Sequence, residues 1–194
     1  MPLPPPQHLE TARLTLRPIA STDLPDLMAV NGDPEVVHFL PYEAWAGLAD
    51  AQAWLGRMQA LEAAGTGRQY VLALRDSGVV VGTVLLFRFD PGSARAELGY
   101  ALARGHWGQG LMKEALAAFC AHLFDSAGLR RLEAEVNPDN LASHQLLLSL
   151  GFVVEGRLRQ RWVAKGRAHD VNSYGLLRGE LCVGPGRPPA PGRT

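Results

Sequence analysis

Cysteine is almost absent. Cys120 and Cys182 are the only two in 194 residues, and neither has a second Cys or a His at a metal-ligand spacing, so no metal site is expected. Net charge is absent as well: nineteen basic side chains cancel nineteen acidic ones, which removes any global electrostatic case for binding nucleic acid or an anionic membrane. No helix-turn-helix pattern or aromatic-basic surface stands out to reverse that reading. No apolar run approaches the roughly 20 residues of a membrane span. The opening Met1-Pro-Leu-Pro-Pro-Pro-Gln-His8 has no basic stretch followed by a hydrophobic one, so no secretory signal is read there and a cytoplasmic protein is expected.

Apolar residues make up 47% of the chain and charged residues 20%, a globular balance at a length suited to one domain. Residues 1–8 and the Pro/Gly-rich residues 182–194 are poor in groups that could be buried and are expected to be disordered tails. With no internal repeat or long linker, residues 9–181 read as a single domain. Arg13–Arg17 alternates as a strand, and Thr22 is expected to cap a first helix. Asp50–Leu61 has helical spacing, and Tyr70–Arg75 and Val79–Phe89 read as strands joined by a hairpin at Asp76-Ser-Gly78.

Glu97–Leu102 is a further strand leading into Gly108-Gln-Gly110 and then a helix whose apolar pairs, Leu111/Met112, Ala115/Leu116, Phe119/Cys120 and Leu123/Phe124, recur every four residues. That pattern makes Cys120 a small core residue. A strand, a glycine turn and a helix N-terminus form an anion cradle, in which the amides of Gln109, Gly110, Leu111 and Met112 converge and the helix dipole assists. The cradle is not a P-loop, because Leu111-Met112 follows Gly110 where Lys and Ser or Thr are needed. It is not a dinucleotide fingerprint either, because Lys113 occupies the third glycine position. Leu132, Ala134 and Val136 alternate as a strand, Asn140 is placed to cap the next helix, and Gly151 suits its left-handed end. Phe152–Glu155, Arg157–Val163 and Val171–Leu177 complete the strands of an α/β fold with a mixed, mostly antiparallel sheet flanked by helices.

Several words in the chain together resemble the GNAT superfamily of N-acetyltransferases, most closely its RimJ/RimL branch. They are Glu97-x-Gly99-Tyr100-x-Leu102, Trp107-Gly-Gln-Gly110, Glu114-Ala115, Asn137-Pro-x-Asn140-x-x-Ser143, Leu150-Gly-Phe152 and Glu155-Gly156. The opening Glu10-Thr-x-Arg-Leu-x-Leu-Arg-Pro18 and the closing Asp170–Leu177 extend the resemblance over residues 9 to about 178. It implies acetyl-CoA as the acetyl donor, with the pyrophosphate on Trp107, Gly108, Gln109, Gly110, Leu111 and Met112. The pantetheine arm would lie beside Tyr100, Ala101 and Leu102, which splay from the neighbouring strand, and near Asn140 and Ser143. It also implies a monomer or a homodimer. The family's turn opens with Arg or Gln where this chain has Gly105, and Arg104 is a substitute one position early.

Acyl transfer to an amine needs a held thioester, a neutral amine and a proton for the leaving thiolate. Glu97, with Gly99 and Ala101 on the face opposite Leu98, Tyr100 and Leu102, is either the base, acting through water, or a structural carboxylate. Ser143 is either the proton donor to sulfur or simply a first-turn residue. Tyr174 is a second donor candidate or a packing residue. An additional glutamate of some RimL-type enzymes corresponds here to Trp162, which leaves that base missing. Arg157, Arg159 and Arg161 share one face of a strand, as a charged edge or as a contact for an acidic acceptor or a phosphate. Tyr42, Trp45 and Trp54 are candidates for the acceptor wall. The expected reaction is direct acetyl transfer to an amine, an α-amine of a protein or peptide N-terminus in the first instance. A small-molecule acceptor or a non-catalytic acyl-CoA-binding domain are the alternatives.

Overall fold

Leu14 and Leu16, the apolar half of an alternating segment, are both fully buried, and the sheet is built outward from such positions. The computed structural model describes residues 8–182. Apart from His8 and Cys182, the two expected tails lie outside the described residues. Eight strands form one sheet in the order β1-β2-β3-β4-β5-β6-β8-β7. They are β1 (Leu9–Glu10), β2 (Leu14–Pro18), β3 (Arg68–Leu74), β4 (Val80–Asp90), β5 (Arg95–Leu102), β6 (Arg131–Val136), β7 (Val153–Ala164) and β8 (Arg167–Leu177). All neighbours are antiparallel except β5 and β6.

The two faces of the sheet are covered by different helices. Helices α1 (Leu24–Asn31), α2 (Pro34–Val37) and α3 (Leu48–Ala63) precede β3; Leu27 and Val30 of α1 and Trp54 of α3 pack with Val71 and Ala101 in one core. Helices α4 (Leu111–Asp125) and α5 (Leu141–Ser149) cover the other face. All eight apolar positions of α4's four-residue step are buried, and the Phe119 ring meets Tyr70 edge-on at 4.9 Å between centroids. Each large apolar side chain so buried contributes about 1.5–3 kcal/mol, which makes α4 the main anchor of that face.

Three local expectations are revised. Thr22 does not cap α1: Ser21–Asp23 is a short 3-10 turn, and the Asp23 carboxylate instead accepts from the Ala20 amide at 2.8 Å and pairs with both terminal nitrogens of Arg17. The stretches 152–155 and 157–163 belong to one strand, β7, because Gly156 remains paired with Ser173 across an irregularity. A second irregularity interrupts the arginine face. Leu158 and Trp162 lie opposite Val171 and His169, so β7 takes four steps where β8 takes two, with Gln160 at φ 50°.

The feature that positions the site is the parting of β5 and β6. Their parallel register runs only from Arg95↔Arg131 to Glu97↔Glu133, although β5 continues to Leu102 and β6 to Val136. Beyond Glu97, among the described residues, no strand pairs with the β6-facing edge of β5, and a cleft opens between the two strands.

Candidate active site

At the end of β5 the chain makes a 3-10 turn over Arg104–His106. It then passes through two left-handed glycines, Gly108 (φ 71°) and Gly110 (φ 74°), into α4. A side chain at either position would be strained. Gly110 is the N-cap and supplies no side-chain oxygen, so the first amides of α4 are left for an outside acceptor. The turn is bolted from β2's side of the sheet. Arg13 Nη1 donates to the Gln109 carbonyl at 2.9 Å, and Arg13 Nε and the Arg13 amide donate to Glu114 at 2.7 and 2.8 Å. Thr11 Oγ1 donates to the same carboxylate at 2.6 Å. Gln109 Nε2 closes the loop on the Gly105 carbonyl, and Trp107 Nε1 donates to the Leu102 carbonyl at 2.7 Å. Arg104, the expected substitute for the residue missing at Gly105, instead pairs with Asp33 at 2.9 Å.

The cleft between β5 and β6 is part of a cavity of about 810 Å³ that also reaches Gln69 of β3, Thr83 and Phe87 of β4 and Trp162 of β7. Leu98–Ala101 and Ala134–Asn137 line it from the two strands, and Tyr42, Trp54 and Met58 line it from the helical side. Trp45 packs behind Trp54, at 5.3 Å between rings, rather than lining the space.

Two groups of polar side chains enter this cleft. In the first, Asn140 Oδ1 accepts from the Ser143 amide at 3.1 Å, which caps α5 as the sequence implied and fixes Ser143 in its first turn. The Ser143 hydroxyl then lies 2.6 Å from that of Tyr100. Burial pushes the Tyr100 phenol well above its ordinary range, so it stays protonated. Tyr174 is fully buried beneath and is hydrogen-bonded to His144 Nδ1.

The second group is acidic. Glu97 is buried, and Arg88 Nη1 sits 2.6 Å from its Oε2. Burial holds the Glu97 carboxyl above its usual value, and the adjacent Arg88 charge only partly opposes this. Glu135 faces the same space, accepting from Trp162 Nε1 at 2.6 Å and from Arg161 Nε at 3.1 Å. Arg157 turns instead to Asp170 at 2.9 Å.

Sequence reasoning missed Arg13, Arg88 and Glu135. Glu135 was within reach of it: if Leu132, Ala134 and Val136 face the core, Glu133 and Glu135 must share the opposite face. Arg88 was not, because a break in β4's register puts it there.

The comparison that decides the family is a match of residues 13–153 to the model of the acetyltransferase (GNAT) domain. The chain belongs to this family. This GNAT N-acetyltransferase is 36% identical over 174 residues to the uncharacterized N-acetyltransferase p20 of Bacillus licheniformis, covering 90% of its own chain and 98% of the relative. It is 29% identical to the [ribosomal protein uS5]-alanine N-acetyltransferase of Escherichia coli, covering 84% and 87%. A crystal structure of a GCN5-related N-acetyltransferase from Brucella melitensis superposes with a TM-score of 0.83 at 26% identity, covering 92% and 82%. The ribosomal-protein relative supports the RimJ/RimL-like branch, and GNAT acetyltransferases use acetyl-CoA as the acetyl donor. Among the described residues no helix is long and apolar enough to cross a membrane.

Proposed function

We propose that this enzyme transfers acetyl from acetyl-CoA directly to an α-amine at the N-terminus of a protein or peptide. The observation that carries the reading is the pair of unlike polar groups on the two sides of one cleft. One is a hydroxyl pair, Ser143 and Tyr100, and the other is a buried carboxylate, Glu97. Similarity to the uS5-alanine enzyme supports a protein N-terminus as acceptor.

Acetyl-CoA supplies an activated acetyl group. Its phosphates fit the Gly108–Met112 turn, where the helix amides have no side-chain cap and neither glycine offers a Cβ to obstruct them. The unpaired edge of β5 at Tyr100–Leu102 suits the amides of an extended arm by strand addition, and its N–H groups are available to the carbonyl oxygen. Asn140 holds Ser143 at that edge.

Glu97 takes a proton from the acceptor ammonium, through water, and releases a neutral amine. The amine nitrogen forms the bond to the acetyl carbon, the carbon–sulfur bond breaks with its electron pair on sulfur, Ser143 gives its proton to that sulfur, and the second proton that the nitrogen loses as it becomes an amide restores the Ser143 hydroxyl through water. A carboxyl held above its ordinary value by burial is a stronger base than a free one. An α-amine with a reference pKa near ~7.8 is neutral at pH 7 several hundred-fold more often than a lysine near ~10.4, on the order of their pKa gap. With Trp162 engaged by Glu135, no additional glutamate stands at that position to close the gap.

The test is acetyl-CoA-dependent thiol release over a panel of unblocked peptides, N-terminally blocked lysine peptides, polyamines and aminoglycosides. Turnover greatest on unblocked peptides, and lost in Glu97→Gln, supports the proposal. Turnover greatest on polyamines or aminoglycosides moves the enzyme to the small-molecule reading, and tight binding without release across the panel to a binding role.

A further inference from the structure

Arg88 stands where β4 loses register. Pairing with β5 slips between Phe87 and Asp90, and Arg88 has φ 50°, in the left-handed region that non-glycine residues adopt at a cost. From there its Nη1 reaches two carboxylates at once, Glu97 Oε2 at 2.6 Å and Glu135 Oε1 at 3.4 Å. The two acids belong to β5 and β6 at and just past the point where those strands part. Their partners are unequal. Glu135 also accepts from Arg161 and Trp162, so both of its oxygens are occupied. Among the described residues, Arg88 alone makes a hydrogen bond or an ion pair with the Glu97 carboxylate.

We propose that Glu135 is a positioning residue for the transfer reaction: by sharing Arg88 with Glu97, it prevents that single counter-ion from fully neutralising Glu97 and keeps Glu97 able to take the acceptor's proton. This rests on the reading of Glu97 as the base. After Arg88, Glu135 is the charge that bears most on Glu97. Glu133, also on β6, is held by Arg95 and Arg131 at 2.7 Å each. Arg161 of β7 is engaged by Glu135 itself, and Arg57 and Tyr42 line the same cleft on the helical side. The Glu97 carboxyl sits high because burial raises it, Arg88 lowers it, and Glu135 and then Glu133 raise it again. A strained backbone that delivers the half-exposed Arg88 cation to the buried Glu97 and the partly buried Glu135 costs stability, which fits a role in chemistry rather than in folding.

The proposal is tested by the pH dependence of kcat/KM on an unblocked peptide for the wild type, Glu135→Gln, Glu135→Asp, Arg88→Gln and Glu97→Gln, each checked for folding by its thermal melt. Removing the Glu135 charge leaves Arg88 to Glu97 alone. The acid limb of Glu135→Gln therefore moves to lower pH, by about half to one unit, with a lower plateau. Removing the Arg88 charge moves the limb the other way, to higher pH, and Glu135→Asp keeps it near the wild-type position. A Glu135→Gln limb that stays in place or rises, while Glu97→Gln is inactive, overturns the proposal but leaves Glu97 as the base. Wild-type turnover in Glu97→Gln overturns both. Should Glu135→Gln fail to fold, the direction of the Arg88→Gln shift decides: no shift, or a downward one, overturns the proposal.

Discussion

The hydroxyls of Tyr100 and Ser143 lie 2.6 Å apart, one from the strand that opens the cleft and the other from the first turn of α5. Because burial keeps the Tyr100 phenol protonated, it can donate to Ser143 Oγ, which leaves the Ser143 proton for the cleft. Ser143→Ala is expected to lower kcat by about tenfold to a hundredfold, and Tyr100→Phe by less, with the KM for acetyl-CoA nearly constant. Steady-state kinetics on one peptide separates this from a binding defect, which would raise KM instead.

Glu114 ties the glycine turn to β2's side of the sheet. Burial alone would raise its carboxyl, but hydrogen bonds from Thr11 and Arg13 outweigh burial and hold it below the ordinary carboxylate value. A group depressed in this way contributes stability above its unfolded pKa and loses it as pH falls through the folded value. Glu114→Gln should therefore melt below the wild type at pH 7, and the difference should close as the buffer is taken through and below the ordinary carboxylate range. The same variant is expected to raise the KM for acetyl-CoA several-fold, because the Gln109–Gly110 turn loses its brace.

Cys120 is fully buried on α4, and burial pushes its thiol up to about 12. A thiol so placed forms almost no thiolate at neutral pH, so it is not the nucleophile of a two-step route. Cys120→Ala should keep kcat within about twofold of the wild type while costing about 1 kcal/mol of stability. Intact-mass measurement should find no acetyl-enzyme after mixing with acetyl-CoA alone.

The end of α5 offers a test of packing that leaves the chemistry untouched. Gly151 has φ 95°, and a Cβ there would stand 2.1 Å from the Glu180 carbonyl oxygen, a backbone atom that cannot swing aside. Gly151→Ala is expected to cost at least about 2 kcal/mol, read as a lower denaturant midpoint.

Much of this was legible because it rests on local periodicity. The alternation around Leu98 and Tyr100, the four-residue step of α4, the Asn140 cap and the left-handed Gly151 all follow from side-chain patterns within one element. The parting of β5 and β6 was expected from family resemblance, and the residues alone do not encode it locally. Long-range partners were not legible. Arg13 reaches Gln109 across β2 and α4, and Arg104 is diverted to Asp33 by the packing of α2 near β5. Arg88 enters the cleft only because β4 slips register. The irregularity at Gln160 likewise sends Arg157 to Asp170 and Arg161 to Glu135, which breaks up an arginine row that simple alternation puts on one face.

The most direct test of the central claim is where the acetyl group lands. A peptide with a free N-terminal alanine and an internal lysine, incubated with the enzyme and acetyl-CoA at pH 7 and sequenced by tandem mass spectrometry, should carry a single acetyl group on the α-amine. Glu97→Gln should leave it unmodified, and Ser143→Ala should acetylate it about tenfold to a hundredfold more slowly. Acetylation confined to the lysine side chain, or undiminished N-terminal acetylation by both variants, would contradict the account.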